Sequence, residues 1–172
     1  MDLSQCRLTY YPSPVLAGRA KPVEQISDDI KQLVEKMKEM MLKNCGIGFA
    51  APQIGIPLQI FVVSADVAQN SEQVYINPTV TGSGQLDVME EGCLSVPGVQ
   101  GKIRRYSKCT VTATNMEGKQ FTEHAEGLLA KVLQHEYDHL QGMLIINKMS
   151  QLAKMTVRKR LKELRQIYEN DR

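Results

Sequence analysis

An α+β fold is predicted by three features of the sequence. Its 172 residues and 19.3 kDa suit one hydrophobic core and leave little for a second, so residues 1–172 are expected to form a single domain. Apolar residues recur at helical spacing near the start, after residue 126 and at the C-terminal end, while the stretch between alternates with β-type period. Hydrophobic residues (42%) and charged residues (23%) stand near the values of a water-soluble globular domain. The expected architecture is antiparallel or mixed β-sheets around a central helix, with helices at both ends.

The first helix is expected over SDDIKQLVEKMKEMMLKN, where Ile30, Leu33, Val34, Met37, Met40 and Met41 form one apolar face. Ser27 is placed to cap it, Asp28 and Asp29 suit its first turn, and Gly46 is placed to stop it. The methionine stripe reads as core packing. A glycine-bearing loop, Cys45 to Gly55, follows. Strands are expected at 59–64, at 74–78, in the stretch before Cys93, and at 109–115 and 119–125, the last two joined by a turn at Met116-Glu117-Gly118. A helix is expected across GLLAKVLQHEYDHLQG, ended by Gly142. The last segment, SQLAKMTVRKRLKELRQIYEN, places Leu152, Met155, Val157, Leu161, Leu164 and Tyr168 on one stripe.

Several classes of protein are excluded or disfavoured by composition. No apolar run approaches the roughly 18 residues that span a bilayer. The opening MDLSQCRLTYYPSP has neither a basic nor an apolar signal region, and four cysteines are too few and scattered for a disulfide framework. A reducing cytoplasm is the expected compartment. The net charge of +2 conceals a segregation: residues 148–172 carry eight bases and three acids, a net of +5, which leaves −3 on the rest. The three histidines are His124, His135 and His139.

The strongest chemical signal is His135-Glu136-Tyr137-Asp138-His139, an HExxH on a predicted helix. Residues i and i+4 lie one turn apart, so both imidazoles can face one divalent ion, while Glu136 can reach a water on that ion. A third ligand is needed. The metzincin continuation fails, because Ile145 stands where its histidine belongs. Glu163 sits in a surface-helix context, His124 in an alternating strand, and Cys6, Cys45 and Cys109 in ordinary surroundings. Cys93, within Glu90-Glu-Gly-Cys-Leu-Ser-Val-Pro-Gly98, leads this pool on context, and spacing alone leaves the others open.

Three segments carry more than the HExxH alone. Gly46-Ile-Gly-Phe-Ala-Ala-Pro-Gln53, Glu91-Gly-Cys-Leu-Ser95 and Gln134-His-Glu-Tyr-Asp-His139 resemble the three signature motifs of the peptide deformylases, in that family's order and approximate spacing. The likeness includes the Tyr11-to-Leu16 opening and runs to the C-terminal helix. It implies that Cys93, His135 and His139 hold one divalent metal ion, Fe(II) in cells, with Zn, Ni or Co also suited to the donor set. It also implies Glu136 as acid/base, and Gln53 with the Leu94 backbone N–H as donors to the oxyanion of a formyl group under attack.

The implied substrate is a nascent peptide beginning with N-formylmethionine. Its side chain would meet Ile47, Met89, Leu128 and Val132, with Gly48 pairing its backbone and Glu91 beside the cysteine loop. Arg105 is placed to pair with Glu91, and Asp138 to accept a hydrogen bond behind the ligands or on the helix surface. Lys131, Gln100 and Phe49 depart from the family's more usual residues. A bacterial cytosolic form is implied, with no membrane and no sequence-specific nucleic acid as partner. Its basic C-terminal helix is a candidate ribosome contact. Two other readings stay in view: a metallopeptidase using Glu163, and a zinc-stabilised binding module without catalysis.

Overall fold

The structure is a computed structural model, and it describes residue 3, residues 6–64 and residues 72–170. Five strands form one antiparallel sheet in chain order: β1 (Gly48–Ala50), β2 (Ile60–Ser64), β3 (Glu72–Gly92), β4 (Gln100–Thr114) and β5 (Gln120–Glu126). Four helices accompany it: α1 (Asp28–Lys43), α2 (Gly127–Leu140), the single turn α3 (Ile145–Lys148) and α4 (Gln151–Asn170). The expected α+β class and the placing of the three long helices hold.

The sheet is covered on both faces at β2, which explains the unbroken apolar run Ile60-Phe-Val-Val63. Ile60 and Val62 join the core under α1, where Leu33, Val34, Met37 and Met41 are fully buried. Phe61 and Val63 point the other way, into the core under α2 with Tyr75, Val111 and Leu133. Alternate residues of one strand thus serve two cores. A third cluster, with Leu16, Val96, Val99, Ile103, Ile145 and Leu164, joins the segment after Cys93 to α3 and α4.

Differences from the sequence expectations have local causes. The strands expected at 74–78 and before Cys93 are one 21-residue strand, interrupted by register shifts at Ile76/Thr79 and Ser83/Leu86. Pro78 has no N–H to offer a partner, and the second shift holds Gly84 at positive φ, so the period-2 pattern breaks twice. β4 likewise begins at Gln100 rather than Cys109. Ser27 caps α1 as expected, accepting from Ile30 N at 3.4 Å. The residue that turns the chain at its end is Cys45 (φ 53) rather than Gly46, whose N–H closes the motif on Met41 O at 2.9 Å. Gly142 ends α2 as expected (φ 72).

The stripe expected on α4 is rotated. Leu152 and Met155 are 77% and 70% exposed, while Ala153, Val157, Leu161 and Leu164 make the packed face. Spacings of four and three residues from Ala153 define that face, and Leu152 lies about 100° off it. Arg172, counted in the basic segment, lies outside the described residues.

Candidate metal centre

α2 delivers three groups of the HExxH to one place. The ring centroids of His135 and His139 stand 5.1 Å apart. The loop after β3 brings Cys93 to meet them, with its Sγ 3.4 Å from His139 Nε2. One ligand atom from each of Cys93, His135 and His139 falls within 4.8 Å of the others, the only such trio among the described residues. Donors around a tetrahedral ion at about 2.0–2.3 Å would stand roughly 3.3–3.8 Å apart, so the trio fits a cation with small adjustment. Glu163, by contrast, pairs with Arg160 Nη1 at 3.2 Å on α4, and His124 lies exposed on β5 against Thr110 Oγ1 at 3.1 Å.

Buried charge orients the ligands. Arg105, 2% exposed, forks onto Glu91 (2.7 and 2.8 Å) and donates to Asp138 at 2.6 Å. Glu91 in turn accepts from His135 Nδ1 at 2.9 Å, which leaves His135 Nε2 for the site. Burial alone would raise the Glu91 carboxyl, but Arg105 and His135 outweigh it and bring it down to about 2. Burial would lower His135, yet its hydrogen bonds to Cys93 and Glu91 prevail and lift it to about 10. His139 is held well below its usual value, first by burial and then by the charges of His135 and Arg105. The pocket therefore attracts positive charge while keeping one imidazole neutral, a donor set suited to a divalent cation.

Lys148 Nζ adds a further bond to Asp138 at 2.9 Å. Asp138 is thus a buried double acceptor, more deeply engaged than its sequence context indicated. The Arg105–Glu91 pairing was legible in period: Gly101, Ile103 and Arg105 share the buried face of β4, and Lys102 and Arg104 the exposed one. Arg105→Ala would strand two buried carboxylates, so a loss of about 3–5 kcal/mol is expected. Urea unfolding of the variant beside the wild type measures it.

Glu136 is 4% exposed, and its Oε2 is buried without a hydrogen-bond partner among the described residues. Burial is the main cause that lifts its carboxyl to about 7; Glu91 and Asp138 reinforce the rise, and His135 and Arg105 oppose it. The carboxylate lies against the backbone of Gly48, where a Cβ would overlap Oε1 and stand 2.8 Å from Cδ. Only glycine permits this approach. Gly48→Ala is expected to displace the carboxylate and lower turnover about 100-fold with little change in melting temperature, a separation seen by parallel kinetic and thermal assays.

Gln53 is buried in the short turn after β1. Its Oε1 accepts from Ala50 N at 2.9 Å, which turns Nε2 toward Ser95 Oγ (3.3 Å) and Cys93 Sγ (3.8 Å). Gln53 and Cys93, with His135 and Glu136, border a cavity of about 930 Å³. Ile47, Gly48, Met89, Glu91, Leu94, Leu128 and Val132 all line it, together with Lys131 and Gln100. Lys131 lays its stem along the wall and reaches Asp87 at 3.4 Å. The unusual Phe49 is in the core, fully buried. Cys45, Pro97 and Gly98 also border the cavity; nothing in their local sequence signalled it, because folding alone brings those loops together.

An HExxH helix that faces a cysteine loop, beside the open edge of an antiparallel sheet, defines a class of hydrolase site. The polypeptide deformylase family model matches residues 5–155. Peptide deformylase of Halothermothrix orenii is 44% identical over 140 residues, covering 81% of this chain and 90% of that protein. A solved peptide deformylase from Plasmodium falciparum superposes with a TM-score of 0.90 at 35% identity, over 95% of this chain and 98% of that one. Another, from Synechococcus elongatus in complex with actinonin, gives 0.83 at 34% identity, over 95% and 88%. This chain belongs to the polypeptide deformylase family.

Proposed function

We propose that this chain removes the N-formyl group from formylmethionyl nascent peptides, with residues 1–172 as one catalytic domain. One observation carries the reading: Cys93, His135 and His139 bring a ligand atom each within 4.8 Å of one another, on the cavity that Glu136 also borders with an Oε2 unpartnered among the described residues. A divalent cation held by those three ligands, Fe(II) in cells with Zn, Ni or Co as substitutes, supplies Lewis acidity that acidifies water and polarises a carbonyl.

The chain's own residues do the rest. Glu136 takes a proton from water as its oxygen bonds to the formyl carbon. Gln53 Nε2 and the Leu94 N–H donate to the oxygen that gains charge, each worth about 3–4 kcal/mol of barrier. Glu136 then hands the proton to the amine as the C–N bond breaks, which yields formate and a free N-terminus. Gly48 on edge strand β1 pairs the peptide backbone, and Ile47, Met89, Leu128 and Val132 receive the methionine side chain. Formate release from formyl-Met-Ala, assayed anaerobically with Fe(II) or with Ni(II), tests the reading; no turnover in either form overturns it.

We also propose a cytoplasmic protein whose basic α4 touches the ribosome near emerging chains. The exposed Leu152 and Met155 beside Lys154, Arg158 and Lys162 support a surface that meets a partner. Cosedimentation with ribosomes is expected to weaken as salt rises. Salt-insensitive binding, or none, counts against this contact.

A further inference from the structure

The opposite, packed side of α4 reaches the loop that follows Cys93. The segment from Cys93 to Gly98 carries the Cys93 sulfur and Leu94, and part of its polar backbone is tied within the fold. Val96 N donates to Cys93 O (2.9 Å), Val99 N to Val96 O (3.2 Å), and Tyr11 N to Ser95 O (2.9 Å). The carbonyl of Pro97 is held from outside, by Arg160 Nε of α4 at 2.9 Å. Beneath that guanidinium sits Gly98 at φ 76, where a Cβ would stand 2.9 Å from Arg160 Nε. Glu163, one turn along α4, braces Nη1 at 3.2 Å. Arg165 makes a second link: its Nε donates to Tyr11 Oη at 2.7 Å, and the Tyr11 backbone holds Ser95.

We propose that Arg160 is a positioning residue, which sets the Cys93–Gly98 loop through the Pro97 carbonyl and so fixes the thiolate and Leu94 for the reaction. The inference rests on the deformylase reading. Proline has no N–H with which to join a turn at this point, so its carbonyl is the handle through which the loop can be oriented. A guanidinium seated flat against a glycine fixes direction as well as distance, as a compact ammonium does not. Arg160 is not among the residues that line the cavity; it holds Pro97, which is. Its effect should lie at the low end of what partners behind metal ligands contribute, about five- to tenfold.

The test compares Arg160→Met, which keeps an apolar stem, with Lys159→Met, which removes one positive charge from an exposed position of α4. Arg160→Met is expected to lower kcat about five- to tenfold with KM changed less than about twofold. Transfer of Ni(II) to excess chelator should accelerate by a similar factor. In the metal-free protein, amide exchange in residues 94–99 should quicken while that of α2 stays unchanged. Lys159→Met should match the wild type in all three. If Arg160→Met also matches it, or loses only melting temperature, the proposal is overturned. Absence of formate release by the wild type would instead overturn the deformylase reading, and the ion-transfer and exchange measurements would still judge the loop.

Discussion

Glutamine in place of Glu136 is expected to reduce formate release by about 10³- to 10⁴-fold and to leave metal content unchanged. The side chains are nearly the same size, so the tight space against Gly48 is still filled. What disappears is a group that accepts a proton in one step and returns it in the next. Burial has lifted this carboxyl to about 7, which matches it to proton exchange near neutrality. Steady-state kinetics on formyl-Met-Ala and metal content per chain check both halves. Activity within tenfold of wild type would remove Glu136 from the proton path, and loss of the metal would recast it as a ligand.

Cys93→Ala is expected to act on the other quantity. Only two imidazoles would remain, and metal affinity should fall more than about 100-fold, beyond the 10–100-fold that partners behind the ligands contribute. Titration with Ni(II) against a chelator of known affinity reads this directly. The two substitutions separate holding the ion from using it. A metallopeptidase relying on Glu163 would retain activity on internal peptide bonds after the change, although Glu163 faces Arg160 on the far side of the cysteine loop. A binding module without catalysis would be indifferent to Glu136→Gln.

Much of this site was legible in the chain because its signals are local. His135 and His139 share a helical face by spacing alone, and Ser27, Gly142 and the turn at 116–118 carry their own backbone preferences. Cys93 was less legible, since a third ligand can come from any segment: local context put it first among the candidates, and only the three motifs together set the others aside. Partners across the fold were hardest to see. Arg105 was expected to meet Glu91, but not Asp138 as well, and Arg160 meets Pro97 across 63 positions. The stripe on α4 misled because Leu152 and Met155 are apolar yet face outward, so period alone could not choose between two possible faces.

The brevity of β1 has a consequence of its own. Among the described residues it ends the sheet, pairs with β2 on one side, and turns only the alternate backbone groups of its three residues to the other. Hydrogen bonds to a main chain ignore side-chain identity, and so short a ledge can grip only the first few units of whatever lies along it. Under the proposed function, discrimination would rest in the walls around the leading residue, with little drawn from the residues downstream. The same economy limits risk: an exposed edge of this length is too short to recruit a second sheet. A ledge of three residues thus suits a protein that must accept chains of every sequence and retain none of them.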